Sequence, residues 1–162
     1  YLRKGERREE WDLLVAQTFT KHTVICGVGE LGRAVIQRLI ASNPSAQVVL
    51  VDTRPNILAE LGLSSPNLCQ VHADMTTQTA LEAAKCQEAS LIILTSGNDA
   101  YNLEAGFKAF RLNPKAEICP LVPERSGLTD ILAQSPTFTF SPIYERAADA
   151  LLEHITKTRS KG

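Results

Sequence analysis

Residues 23–32 read Thr-Val-Ile-Cys-Gly-Val-Gly-Glu-Leu-Gly, and this stretch decides the fold of the chain. Its β-branched start predicts a short buried strand, which breaks into a Gly-x-Gly-x-x-Gly turn. Gly27 permits the tight turn out of the strand, Gly29 lets the backbone approach a pyrophosphate, and Gly32 lets the next helix pack close to the sheet. The pattern therefore predicts a dinucleotide-binding turn between a strand and a helix.

A carboxylate follows at the spacing that such a turn requires. The apolar run at 47–51 ends at Asp52, twenty positions after Gly32, where a side chain can accept hydrogen bonds from ribose hydroxyls. The free N–H groups at the start of the helix after the turn, together with its dipole, attract the phosphates. We expect the pyrophosphate to contact six consecutive residues: Gly27, Val28, Gly29, Glu30, Leu31 and Gly32.

The remaining candidate binding residues follow the second, third and fourth predicted strands, because ligands of such sheets lie beyond the carboxyl ends of the strands. They are Asp52, Thr53, Arg54, Asp74, Met75, Thr95, Ser96, Gly97 and Asn98. Asp74 reads equally as a turn residue, and residues 95–98 read equally as a loop followed by a helix cap.

Asp52 also bears on the choice of cofactor. A carboxylate at this position repels a 2′-phosphate, which favours NAD over NADP, whereas a guanidinium at Arg54 can accept that phosphate. We place NAD(H) first, with the adenine nucleotides ADP, AMP and ATP as the next candidates.

Strand-like and helix-like segments alternate along the chain, which predicts an α/β fold. Crossovers of this length require parallel strands with helices on both faces. We predict one Rossmann-like, doubly wound domain at residues 21–155 with a mainly parallel six-stranded sheet, preceded by a helical lead-in at 1–20 and followed by a frayed basic tail at 156–162. The predicted strands are 24–26, 48–51, 68–72, 91–94, 118–122 and 137–140.

Single residues predict several element boundaries. Pro55 is preset for the first turn of a helix, and Thr76 or Thr77 is a suitable cap for the next one. Pro120 removes one hydrogen-bond donor from the fifth strand, so we expect that strand to be exposed on one side or bulged. The last helix is predicted to run from Pro142 to about residue 155.

Two segments carry apolar residues that fit one face of a helix. Those of the lead-in are Trp11, Leu13, Leu14 and Val15, and those of residues 99–111 are Leu103, Phe107 and Phe110. The first set indicates either packing on the domain or a solvated linker with one apolar stripe. The second set indicates either core packing or a dimer interface.

Composition limits the function classes. The 17 Lys and Arg residues nearly balance the 18 Asp and Glu residues, so no global field favours nucleic acid. The longest apolar run, residues 89–94, is too short to cross a bilayer. The chain starts with Tyr1 instead of Met, which indicates an excerpt of a longer protein. The four cysteines show no Cys-x-x-Cys spacing and read as structural free thiols.

No catalytic or metal-binding set emerges from the sequence. His22 precedes the first strand at the wrong end of the sheet, His72 lies within the third strand, and His154 belongs to the last helix. No Lys, Tyr or Cys follows a strand in a pattern that suggests hydride transfer. A nucleotide site without such partners favours sensing over turnover.

The residues resemble the RCK family, the regulators of potassium conductance also called the TrkA N-terminal family, from about His22 to Leu152. The stretches that carry the resemblance are 23–32, Val-Val-Leu-Val-Asp at 48–52, His-Ala-Asp-Met-Thr at 72–76, the fourth strand through Leu-Asn-Pro at 89–114, and Ser-Pro at 141–142. Ala73 stands where the family usually has Gly.

The resemblance implies a cytosolic domain that binds NAD(H), ATP, ADP or AMP and passes that state to a potassium channel pore or transporter subunit of the plasma membrane. It also implies pairing into homodimers or larger rings, with residues 1–20 as the linker from a pore helix of the same polypeptide. Glu30 in the glycine turn disfavours ATP. Leu121 and Pro123 stand where calcium-gated members carry glutamates, which argues against that metal site.

Two other interpretations compete with a sensor. One is the cofactor-binding domain of an NAD-dependent oxidoreductase without its substrate domain, which requires a catalytic Lys, His or Tyr beyond Gly162. The other is an oligomerising scaffold whose pocket binds no nucleotide. We favour the non-enzymatic sensor.

Overall fold

The computed structural model describes residues 4–162, which form a parallel five-stranded sheet with helices on both faces. The strands are β1 (Thr23–Cys26), β2 (Val48–Asp52), β3 (Leu68–His72), β4 (Leu91–Leu94) and β5 (Glu117–Pro120). Their order is β3-β2-β1-β4-β5, and every pairing is parallel. The winding therefore reverses between β1 and β4, as predicted for a doubly wound Rossmann-like fold.

Helices cover the two faces of this sheet. They are α1 (Lys4–Ala16), α2 (Glu30–Ser42), α3 (Ile57–Glu60), α4 (Gln78–Ala83), α5 (Asp99–Leu112), α6 (Gly127–Leu132) and α7 (Ile143–Arg159), with a 3₁₀ turn at Cys86–Glu88. Alternate strand residues point to opposite faces. Ile25 packs with Ile36 of α2 and Ile57 of α3, whereas Val24 and Cys26 join the cluster of α4 and α5.

The predicted sixth strand is wrong, because residues 137–140 make only an isolated parallel bridge between Phe138 and Ile118. The N–H of Ile118 donates to Thr137 O at 2.8 Å, and Thr139 N–H donates to Ile118 O at 2.9 Å. The next donor on that side of β5 would be Pro120, which has no N–H, so the ladder ends there. The fifth strand was expected to be exposed on one side or bulged, and β5 is an edge strand of the sheet whose outer side carries the bridge to Phe138.

Two helix boundaries also differ from the prediction. Pro55 does not open α3, which starts two residues later after Asn56 in a left-handed conformation with φ of 61°. The last helix runs to Arg159, so the first residues of the predicted frayed tail are helical. Thr77 caps α4 through a hydrogen bond from Ala80 N, as one of the two predicted caps.

The lead-in helix α1 packs along the edge strand β3, in the part of the predicted lead-in that the structure describes; residues 1–3 lie outside it. Asp12 is buried and accepts a hydrogen bond from Gln70 N at 3.0 Å and from Arg8 Nε at 3.0 Å. Ala16 joins the core, while Trp11 is 63% exposed. The helix therefore contacts the sheet through Asp12 and Ala16, and most of its apolar stripe faces outward.

The cysteines are free, as predicted, and three of the four are buried. Burial raises the pKa of the Cys69 and Cys86 thiols to about 12. At neutral pH these two side chains are therefore protonated and act as small apolar groups.

Candidate functional site

A cleft of about 350 Å³ opens at the carboxyl ends of β1 to β4, where the winding of the sheet reverses. Its walls come from four successive strand ends, which lie far apart in sequence. The lining residues are Gly27, Gly29, Val51, Asp52, Thr53, Arg54, Ala73, Asp74, Met75, Thr76, Ser96, Gly97 and Tyr101. In open α/β sheets this is the position where ligands bind.

The glycine turn forms one wall, and two of its glycines are required by their surroundings. Gly27 has a φ of 71°, and a Cβ there would lie 2.6 Å from Ser96 Cβ. A Cβ on Gly32 would lie 2.6 Å from Thr95 Oγ1, the hydroxyl that donates to Gly27 O at 2.9 Å. The tight turn at Gly27 and the close packing at Gly32 are thus confirmed. Helix α2 begins after Gly29 with no side-chain cap among the described residues.

Asp52 is the last residue of β2 and lies at the base of the cleft, 7% exposed. Its Oδ2 accepts the N–H of Val28 at 2.8 Å, and its Oδ1 accepts the N–H of Arg54 at 2.8 Å. Burial opposes ionisation, but the Arg54 guanidinium and these two backbone donors outweigh it and hold the pKa of Asp52 below its usual value. The carboxylate is therefore charged at neutral pH.

The loop after Asp52 is fixed by two residues of β3. The Gln70 amide donates from Nε2 to Arg54 O at 2.6 Å and accepts from Ile57 N at 2.8 Å. The His72 imidazole bonds through Nε2 to Thr53 O at 2.8 Å and through Nδ1 to Glu9 Oε1 at 2.9 Å. His72 was predicted within the strand, and it lies at the strand's end as a link between this loop and α1.

Asp74 both forms a turn and lines the cleft. Its Oδ1 accepts the N–H of Thr76 at 2.9 Å and the Thr76 hydroxyl at 2.8 Å, and these bonds lower the pKa of Asp74. Lys108 of α5 donates to Thr76 O and pairs with Glu104, which ties this turn to α5. The two roles considered for Asp74 from the sequence, turn residue and site residue, are thus compatible.

The loop after β4 is organised by Asn102, a fully buried side chain of α5. Its Oδ1 accepts from Ser96 N at 3.0 Å and from the Ser96 hydroxyl at 2.6 Å, while its Nδ2 donates to Ser96 O and Leu121 O. All the hydrogen-bonding capacity of the amide is used. Asn102 therefore positions the Ser96 wall of the cleft, and Asn98 caps α5 by accepting from Tyr101 N.

The predicted site residues separate into two groups in the structure. Those that line the cleft are Gly27, Gly29, Asp52, Thr53, Arg54, Asp74, Met75, Ser96 and Gly97. Those that lie outside its lining are Val28, Glu30, Leu31, Gly32, Thr95 and Asn98. Val28 contributes its N–H to Asp52, and Thr95 buttresses the glycine turn.

Sequence reasoning missed four lining residues: Val51, Ala73, Thr76 and Tyr101. Tyr101 is the largest of them and lies half exposed in the first turn of α5. Its N–H is bound by the helix cap Asn98, but the sequence spacing alone does not show that Tyr101 reaches the cleft.

A second cavity, of about 370 Å³, lies between α1, α3 and β3. Its charged groups are paired with one another, Arg8 with Asp12 and His72 with Glu9. Its described lining includes neither the glycine turn nor Asp52, so it lacks the two features that the sequence predicts for a nucleotide site.

Comparison with known families identifies the family to which this chain belongs. The sequence matches the TrkA-N domain family over residues 23–128, about two thirds of the chain. The chain belongs to the TrkA-N domain family. The resemblance seen in the glycine turn, Asp52 and the 89–114 stretch is thereby confirmed.

Two relatives match this chain over part of their own length. Potassium channel protein 1 of Methanocaldococcus jannaschii is 29% identical over 111 residues, which is 68% of this chain and 33% of the relative. A protein of Methanothermus fervidus described as uncharacterized is 27% identical over 142 residues, 83% of this chain and 22% of the relative. The TrkA-N chain described here thus spans a third or less of the length of these relatives.

Solved structures share the fold. The TrkA-N domain of inner membrane protein ybaL from Escherichia coli is 20% identical with a TM-score of 0.69, covering 84% of this chain and 97% of that one. The Kef C-terminal domain of Shewanella denitrificans in its AMP-bound form is 19% identical with a TM-score of 0.62, covering 85% and 80%. The GsuK channel bound to NAD is 20% identical with a TM-score of 0.59, covering 75% and 22%.

Metal-binding clusters and membrane-spanning helices are both absent from residues 4–162. No group of three or more His, Cys, Asp or Glu side chains in this range is arranged to hold a metal ion. None of its helices is both long and apolar enough to span a bilayer.

Proposed function

We propose that this TrkA-N domain is a nucleotide-sensing regulatory domain that controls a potassium channel or potassium transporter. The observation that carries the proposal is that the glycine turn and the ionised Asp52 face one cleft at the switch point of the sheet. A turn that leaves helical N–H groups free for phosphates, next to a carboxylate for a ribose, has the chemistry of a nucleotide site.

NAD(H) is the first candidate ligand, followed by AMP and ADP. The NAD-bound GsuK channel and the AMP-bound Kef domain share this fold and support that range. Exposed Glu30 begins α2 and would oppose the γ-phosphate of ATP. The contacts proposed for the pyrophosphate are the backbone of the glycine turn and the N–H groups of residues 30–32 in the first turn of α2, and those for the ribose are the oxygens of Asp52.

Sensing is favoured over turnover by the chemistry of the cleft. Among its described lining residues the ionisable side chains are Asp52, Arg54, Asp74 and Tyr101. A hydride-transfer site would need a proton donor or acceptor such as Lys, His or Tyr beside the nicotinamide. The described lining holds no Lys or His, and its tyrosine, Tyr101, is half exposed in the first turn of α5. A bound nucleotide can then act only by its different affinity for two arrangements of the protein.

The proposed partner is a channel pore or transporter subunit, and the proposed location is the cytoplasmic side of the plasma membrane. Potassium channel protein 1 supports this assignment, since the segment related to this chain makes up 33% of its length. The lead-in helix α1 is the element that would connect the domain to such a subunit in the same polypeptide. Pairing of two domains would complete the regulatory unit.

Calorimetric titration of the purified chain with NADH, NAD, AMP, ADP and ATP tests the proposal. Asp52→Asn removes the charge at the ribose position and is expected to weaken each ligand about tenfold or more, which corresponds to about 1.4 kcal/mol. Asp149→Asn on the exposed face of α7 is the matched control and should bind as the unaltered chain does. Absence of binding for all five nucleotides, or equal affinity in Asp52→Asn, would contradict the proposal.

A further inference from the structure

The guanidinium of Arg54 occupies the solvent side of Asp52. Its Nε donates to Asp52 Oδ1 at 3.2 Å and its Nη2 donates to Oδ2 at 3.3 Å. The same Nη2 donates to Val28 O at 2.5 Å. The side chain therefore links the end of β2 to the glycine turn, beside the oxygens of Asp52 that are proposed to bind the ribose.

The partners of Asp52 come from two directions. The backbone N–H groups of Val28 and Arg54 approach from within the fold, and the Arg54 side chain, 50% exposed, approaches from solvent. A ribose must also arrive from solvent. Its diol and the guanidinium would compete for the same oxygens, because the remaining acceptor positions are already taken by backbone donors.

The guanidinium can leave without moving the loop that carries it. Gln70 binds Arg54 O and Ile57 N, and His72 binds Thr53 O, so the backbone of residues 53–57 is held by β3 independently of the Arg54 side chain. Glu60, which pairs with Arg33 at 2.8 Å, adds a weaker electrostatic attraction to the Arg54 cation. Displacement therefore requires a change of rotamer, the loss of a half-exposed ion pair and the loss of the hydrogen bond to Val28 O.

From this arrangement we infer that Arg54 is a built-in competitor of the ribose diol and sets the affinity of the site for ribonucleotides. This inference rests on the proposed nucleotide-binding function and deepens it. Ligands that donate two hydroxyl hydrogen bonds to Asp52 must first displace Arg54, whereas ligands without these hydroxyls need not. Arg54 thus lowers the affinity for ribonucleotides and reduces the discrimination between ribose and deoxyribose.

Titration of Arg54→Ala with AMP and with 2′,3′-dideoxy-AMP tests this inference. Removal of the competitor is expected to tighten AMP binding about three- to fivefold, the range of a half-exposed ion pair, and to leave dideoxy-AMP unchanged. Arg38→Gln on the outer face of α2 is the matched control, since it removes an exposed arginine away from the cleft. The increase in AMP affinity caused by Arg54→Ala should become smaller as the salt concentration rises from about 0.05 M to about 0.5 M, because salt screens the Arg54–Asp52 attraction.

The outcomes separate this inference from the function on which it rests. Weaker or unchanged AMP binding in Arg54→Ala, with Asp52→Asn still weakening AMP, would overturn the competitor role alone. An equal gain for dideoxy-AMP would overturn it as well, since the effect would not pass through the diol. Failure of both the unaltered chain and Arg54→Ala to bind AMP or NADH would overturn the nucleotide-binding proposal itself.

Discussion

Gly27 and Asp52 make the cleft for different physical reasons. Gly27 supplies a backbone conformation and a close approach, since its φ is 71° and Ser96 leaves no room for a side chain. Asp52 supplies charge, which two backbone N–H groups and Arg54 stabilise in a nearly buried position. The first residue is required by geometry and the second by electrostatics, so substitutions at the two positions should have different signatures.

Gly27→Ala should destabilise the fold by about 2–4 kcal/mol, because the new Cβ combines a left-handed φ with overlap against Ser96 and the Met75 sulfur. Gly97→Ala is the matched control, since a Cβ there meets nothing within 4 Å. Urea unfolding measures both variants. A Gly27→Ala loss no larger than that of Gly97→Ala would show that the turn does not require glycine.

His22 predicts a pH dependence of stability. The imidazole is buried, its Nε2 donates to Ala84 O at 3.0 Å, and its Nδ1 has no partner within the described structure. Burial lowers the pKa of His22 below its usual value of 6.5. Below about pH 6.5 the imidazole of His22 therefore takes up a proton in the unfolded chain while it stays neutral in the folded chain. The contribution of His22 to stability is present above that pH and is lost below it.

The measurement compares the unaltered chain with His22→Gln between about pH 7.5 and pH 5.5. The unaltered chain should lose more stability on acidification, by up to about 1.4 kcal/mol per pH unit for one proton. His154→Gln, on the exposed last helix, should follow the unaltered chain. The same pH slope in His22→Gln would show that this imidazole does not carry the effect.

At the scale of elements, α1 protects an edge of the sheet. Strand β3 would expose its outer N–H groups, and Asp12 accepts one of them from Gln70. The buried carboxylate is held by Arg8 and by that N–H, while burial raises its pKa. Edge strands covered in this way are less prone to pair with other chains.

Asp12→Ala should therefore loosen α1 from β3. Amide hydrogen exchange is expected to accelerate at Gln70, and the fold should lose about 1–3 kcal/mol because a buried N–H loses its acceptor. Asp130→Ala, which removes an exposed pair with Arg125, is the control and should change stability by about 0.5 kcal/mol or less. Unchanged exchange at Gln70 would contradict the proposed role of α1.

The helices and strands that the sequence predicted correctly are those whose local residue pattern agrees with their surroundings in the fold. Strand β4 and the α5 cap at Asn98 follow from an apolar run and a capping residue. The prediction that Pro55 opens a helix was wrong because Asn56, which follows it, has a left-handed conformation. The prediction of a sixth strand was wrong because pairing with β5 stops at Pro120. Both errors depend on the neighbouring backbone, which periodicity does not encode.

The candidate site was predictable to the extent that it lies on strand ends. The glycine turn and Asp52 have a characteristic spacing, so residue types and their separation are enough to place both. Tyr101 and the bridging position of Arg54 are not predictable in this way, because they depend on how α5 and the loop at 53–57 fold back over the cleft.

The whole molecule presents an aromatic face that the core does not cover. Helix α5 packs on the sheet through small residues, including Gly106, whereas Phe107 and Phe110 lie beside Phe138 with centroids 5.9 and 5.8 Å from its ring. Each of the two helical rings remains more than a third exposed. Of the two interpretations of this stripe, core packing accounts for only part of it.

If two chains pair through this face, light scattering at micromolar concentration should give a mass near twice that of the 17.7 kDa chain. Phe107→Glu should shift the mass toward the monomer, because a charge is costly in an apolar interface. Circular dichroism checks that the variant keeps its fold. Glu104→Gln, one turn earlier on α5, should leave the mass unchanged, and a monomeric unaltered chain would contradict the proposed pairing.

Amide chemical-shift mapping during titration with AMP tests the nucleotide site most directly, since it reports where a ligand binds along the whole chain. We expect the largest shifts at residues 27–32, 52–54, 74–76 and 96–98, all at the carboxyl ends of the strands. Saturation without shifts there, or shifts centred on Arg8, Ala59 and Gly62 in the cavity between α1 and α3, would contradict the assignment of the cleft as the nucleotide site.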